Sequence, residues 1–175
     1  FRSIQATVAQ VPASCNSAVP SIITYLRANS ILYKFTPAAN GLIFAATFGS
    51  VYDTILTVVT GSPGAFTVVA CNDDLPFQSG SPSLVSFTAT AGTTYFFMIS
   101  AWAGDGGATD FQLIEILPPP NDNISSATVI VSSPFTDMVS TIAATTQTVD
   151  PIVSTTCSPG AANSGRGKNI WYRFT

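Results

Sequence analysis

In "VVACNDDLP", Val68 to Pro76, a cysteine, an amide and two carboxylates stand in consecutive positions at the end of an apolar run. Only 9% of the chain is charged, so adjacent aspartates at 73 and 74 need a chemical reason. Acid–base work on a glycoside needs two carboxyl groups held apart across a cleft. Neighbours at the end of an extended strand point to opposite sides, so this pair does not suit catalysis. A metal site or a solvated Asx turn remains. The chain has no histidine. Ser-His-Asp and Cys-His arrangements therefore cannot form, and zinc loses its commonest nitrogen ligand. No enzymatic activity is expected.

Apolar residues recur with period two in the segments that must position these groups. Ile31, Tyr33 and Phe35 share one face of "ILYKFT", and Phe44, Ala46 and Phe48 line up in "LIFAATF". Leu56 and Val58, then Phe66, Val68 and Ala70, then Val85, Phe87 and Ala89 follow. Tyr95, Phe97 and Ile99, then Phe111 and Leu113, close the series. Turn signals such as "TPAANG", "TGSPG" and "AGDGG" separate the runs. Such short alternating strands predict an all-β sandwich or barrel, with one helical turn expected in "SIITYLRANS", Ser21 to Ser30.

The balance of charge narrows the partners. A net charge of -3 with six basic residues offers no cationic surface for nucleic acid. The longest apolar stretch, Tyr95 to Ala103, is too short to cross a bilayer, so no membrane insertion is expected. A surface rich in Ser, Thr and Asn suits a secreted or cell-surface protein. The opening Phe1 reads as that of a mature or trimmed product.

At "LPPPNDN" the alternation breaks, because prolines cannot donate to a sheet ladder and favour a stiff connector. Beyond it an earlier pattern restarts. "NIWYRFT", Asn169 to Thr175, matches "SILYKFT", Ser30 to Thr36, and "TIAATT" resembles "SIQATV" upstream. Tyr172 stands 139 positions after Tyr33, and Cys157 stands 142 after Cys15. A period of about 139 does not fit twice into 175 residues. The expected organisation is a module over 1–117 that lacks its first strand region, a Pro-rich connector over 118–122, and the first part of a second module, or a donor segment, over 123–175. That tail leaves Ile170, Trp171, Tyr172 and Phe174 to find partners in a neighbouring module or subunit.

Three cysteines with one left over follow the same arithmetic. The economical pairing is Cys15 with Cys71, and Cys157 then waits for the missing module; three unpaired thiols are the alternative. Closing a loop of about 55 residues stabilises by roughly 4 kcal/mol in the chain-entropy model and implies an oxidising compartment.

"FGSVYDTILTVVTG", "VACNDD", "SLVSFTATAGTTYFFMIS" and the stretch from "PPPNDNISSATVI" to "TIAATT" together resemble the bacterial pre-peptidase C-terminal (PPC)-like modules. The likeness covers nearly the whole chain. It implies a jelly-roll β-sandwich, an accessory or surface module without an active site of its own. Some relatives bind calcium, which points to Ca2+ held by Asn72, Asp73 and Asp74, with Asp53 from the "YDT" turn and Asp105 from the Gly-rich loop as more distant ligands. Asp110 is a weaker addition to that set.

The leading functional expectation is a structural module. It assembles in series into a fibre or repeat array, its partners being copies of itself or neighbouring modules. The alternative is a polysaccharide- or substrate-binding accessory module of a secreted hydrolase. Exposed aromatics in a groove, Trp102 or Trp171 among them, would mark it.

Overall fold

A computed structural model describes residues 30–63, 65–75, 82–102, 106–151 and 167–175. The chain divides into two compact units, Phe1–Glu115 and Ile116–Thr175. The expected helical turn and the residues Cys15, Asp105 and Cys157 lie outside the described residues, apart from Ser30 at the end of that turn.

Among its described residues the first unit is all β. Its strands are β1 (Ile31–Phe35), β2 (Gly41–Ala46), β3 (Thr54–Ser62), β4 (Ala65–Asn72), β5 (Leu84–Ala89), β6 (Tyr95–Ala101) and β7 (Gln112–Ile116). β1, β6, β3 and β4 pair in that order as one four-stranded sheet, and β5, β2 and β7 form a second sheet of three. β5 shows the pattern most plainly: Val85, Phe87 and Ala89 are buried while Leu84, Ser86 and Thr88 are exposed. Central β3 is buried on both faces from Thr54 to Val59, as a strand flanked by neighbours within a covered sheet must be.

Between the sheets, Leu56, Val58, Phe97, Ile99 and Ile43 are fully enclosed, and Tyr33, Phe35, Ala70, Phe111 and Leu113 pack around them. Phe97 sits among aromatic neighbours, 5.5 Å from Phe111 and 6.3 Å from Phe87 between ring centroids. Phe111 stacks in turn on Tyr33 at 4.6 Å. The two sheets meet through these side chains, as in a β-sandwich.

One inward face differs from its expectation. In β2 Ile43 and Ala45 join the core cluster, whereas Phe44 is half-buried and Phe48 is exposed; of the expected face only Ala46, at the strand's end, is buried. The run is apolar in both phases, so alternation cannot choose between its faces. Pairing chooses: Ile43 lies opposite Phe87 and Ala45 opposite Val85, both of which point into the core.

Glycine closes the β3–β4 hairpin for a steric reason. Gly61 has φ 102°, and a Cβ there would run into the Ala65 carbonyl oxygen.

The second unit carries less regular structure. A 3-10 turn spans Ile124–Ser126, and β8 (Thr128–Ile130) pairs in parallel with β9 (Tyr172–Phe174). Its buried apolar residues, among those described, are Ala143 and Ala144. Ile124, Val131, Phe135, Met138, Val149 and Phe174 remain exposed, Met138 to 96% and Phe174 to 70%.

Candidate functional site

The antiparallel pairing of β3 and β4 brings the aspartates to one end of the sandwich. Leu56 lies opposite Asn72. The residue before β3, Asp53, therefore meets the residues just after β4, Asp73 and Asp74. β6 borders the same corner, where the Trp102 amide donates to the Asp53 carbonyl at 2.9 Å.

A buried hydroxyl cluster fixes this end in place. Thr47, Thr54 and Ser83 are all fully enclosed. The Thr47 and Thr54 hydroxyls lie 2.6 Å apart, and the Ser83 amide donates to Thr47 Oγ1 at 2.8 Å. Ser83 Oγ sits 2.5 Å from the Thr54 carbonyl oxygen and 3.0 Å from that of Asp73. These three residues join the β2–β3 loop, the start of β3 and the segment before β5 to the backbone of the acidic turn. Sequence reasoning had no signal for them, because Thr and Ser occur throughout the chain.

Asn72 is committed to structure. Its Nδ2 donates to the Asp74 carbonyl at 2.8 Å, and its Oδ1 accepts from the Leu84 amide at 3.0 Å. This is a side-chain-stabilised turn of the kind Asn favours.

The carboxylates have a different environment. Asp53 Oδ1 and Asp73 Oδ1 are shielded from solvent and have no hydrogen-bond partner. Burial pushes the Asp73 carboxyl up to about 6, and the charges of Asp53 and Asp74 add to the effect. Asp53 is raised as well, first by burial and then by Asp74. Two shielded, unpaired oxygens in mutually repelling carboxyls suit a cation. Among the described residues no three Asp, Glu, His or Cys side chains converge as a metal-binding group, so further ligands would have to be carbonyl oxygens or water. Asp110 is placed elsewhere: its amide donates to Ser50 Oγ, and its carboxylate lies against Gly49.

Cys71, the penultimate residue of β4, is half-buried and disulfide-bonded. The expected partner, Cys15, lies outside the described residues.

In the second unit one of the residues expected to seek a partner, Trp171, is held by the end of the Pro-rich stretch. Asn121 and Asp122, placed in the connector by sequence, are 1% and 5% exposed. The Trp171 amide donates to the Asn121 carbonyl at 2.9 Å, and Asn121 Nδ2 donates back to the Trp171 carbonyl at 3.2 Å. The Asp122 carboxylate accepts from the Thr145 amide and hydroxyl, both at 2.6 Å. Asp150 Oδ2 accepts from Asn169 Nδ2 at 2.8 Å. Tyr172 donates to Asp137 at 2.9 Å, and its ring meets Phe135 edge-on at 5.8 Å. Ile170 and Trp171 are half-buried, and Phe174 projects outward.

A cavity of about 520 Å3 opens in the first unit, lined by Tyr33, Lys34, Phe35, Phe97, Phe111 and Leu113. It lies where β1 of one sheet faces β7 of the other, since Tyr33 stacks on Phe111 just ahead of β7.

No family model matches the chain, and no curated protein or solved structure matches it either.

Proposed function

We propose that this β-sandwich is a non-catalytic, extracellular structural module of the PPC-like kind, which assembles in series with copies of itself by strand complementation. The observation that carries the reading is the contrast between the two units. The first encloses a full apolar core. The second repeats the β1 sequence in β9, yet among its described residues it buries two alanines and leaves nine large apolar side chains exposed. Apolar surface on that scale marks a contact surface in a functioning protein. Among the described residues β8 and β9 carry no further strand on their outer edges, which provides the means of association.

Self-association of the full chain tests the proposal. Sedimentation should show mass rising with concentration, and electron microscopy should show linear particles. A monodisperse monomer across the accessible concentration range would falsify it.

Calcium fits the same reading as a stabiliser. Asp53 and Asp73 supply oxygens without donors, and a bound divalent cation would neutralise their repulsion at the corner where β3, β4 and β6 meet. Thermal melts with EDTA and with added calcium check this: the melting temperature should rise with calcium, and an unchanged melt removes the cation.

A further inference from the structure

The parallel β8–β9 pair provides a template for what joins β1. Resting on the assembly reading above, we propose that the outer edge of β1 accepts the segment from Asn121 to Ile130 of a second copy, added as a parallel strand in the register β8 holds on β9.

Backbone hydrogen-bond parity identifies the edge. Alternate residues of a strand direct both their N–H and C=O groups to the same neighbour. The Trp102 amide bonds to Asp53, beside β3. The register between β6 and β3 is unbroken from Phe96 to Ala101. Even-numbered β6 residues therefore face β3, and Tyr95, Phe97 and Ile99 face β1. Their partners on β1 are Phe35, Tyr33 and Ile31. Leu32 and Lys34 consequently turn their backbone groups to the opposite edge, where the described residues place no strand.

In the second unit Trp171 occupies the position of Leu32 in the repeat, and Arg173 that of Lys34. Trp171 directs its amide to the Asn121 carbonyl and its carbonyl to the Thr128 amide. The edge of β9 that carries β8 is thus the same edge that β1 presents outward. Transferring the register sets Thr128 opposite Tyr33, Val129 opposite Lys34 and Ile130 opposite Phe35, from the pairs with Tyr172, Arg173 and Phe174.

Side chains support the placement. Tyr172 is capped edge-on by Phe135, five residues beyond β8. Its counterpart Tyr33 lines the 520 Å3 cavity, whose wall is completed by Phe35, Phe97, Phe111 and Leu113. An incoming segment that runs past Ile130 carries its own Phe135 toward that apolar wall. Donation exchanges the three β8–β9 pairs and the Asn121–Trp171 bond for their equivalents on β1, and gives up the buried bonds of Asp122 to Thr145.

Cross-linking tests the register on full-length chains. Lys34 and Val129 both reach the surface, and partners across adjacent strands lie within disulfide range. A chain bearing Lys34→Cys is mixed with one bearing Val129→Cys, oxidised mildly, and run without reductant beside untreated wild type. A mixture of Lys34→Cys with Met138→Cys controls for random encounter, because Met138 is 96% exposed. The expected result is a band of doubled mass for the 34/129 pair and not for the 34/138 pair, lost on reduction. Equal bands in both mixtures overturn the register. So does no band while sedimentation shows self-association, and in that case assembly itself stands. If the chain also stays monomeric, both proposals fall.

Discussion

Asp73 shows how a residue's neighbours set its chemistry. Its folded-state pKa is raised from 3.8 to about 6, so the native protein holds that proton more tightly than the unfolded chain does. The stability this contributes is complete below about pH 4 and is lost as pH rises through about 6. Melts in EDTA should therefore fall in temperature between pH 4 and pH 6, and Asp73→Asn should flatten that decline. Added calcium should raise the melt at pH 7 and do little at pH 4, where Asp73 is protonated. Asp122 is the opposite case, a buried carboxylate fully supplied with donors by Thr145. Asp122→Ala leaves the Thr145 amide without its acceptor, at a cost of about 1–3 kcal/mol. Hydrogen exchange at that amide should accelerate, and protection of the β6 amides should not change.

At the scale of strands, the sandwich depends on a few side chains that both sheets share. Phe97 of β6 is fully enclosed and packs against Phe87 of β5 and Phe111 just ahead of β7, so Phe97→Ala should cost about 3–5 kcal/mol in denaturant unfolding. Leu84, 37% exposed on the outer phase of β5, should cost under about 1 kcal/mol on the same change. Gly61→Ala should destabilise through both its positive φ and the Ala65 carbonyl. Alternation identified the inward faces of β3, β5 and β6 from sequence, because polar residues or tight pairing marked the other phase or both phases were enclosed. It chose the outer phase of β2, since Leu42 to Ala46 is apolar throughout and the core selects by cross-strand partner.

For the whole molecule the decisive property is unequal completeness. One unit encloses ten buried apolar residues as a single cluster. The other holds its chain by buried polar bonds from Asn121, Asp122 and Asp150, and exposes most of its large apolar side chains. Association should therefore bury unit-two surface in particular. Replacing Phe135 and Phe174 by Ser should shift the self-association midpoint to higher concentration while leaving the first unit's unfolding transition where it was.

By itself the sequence determined the all-β class, the strand phases wherever apolar and polar residues alternate, the absence of histidine chemistry, and the likeness between "SILYKFT" and "NIWYRFT". Each of these depends on residues close together in the chain or on direct likeness between segments. Tertiary structure alone decided which edge of β1 faces outward, that Asn72 serves the turn, that Thr47, Thr54 and Ser83 anchor the acidic corner, and that Asn121 and Asp122 grip the second unit. Those outcomes rest on hydrogen bonds and packing between positions 7 to 68 residues apart, whose partners no local pattern specifies.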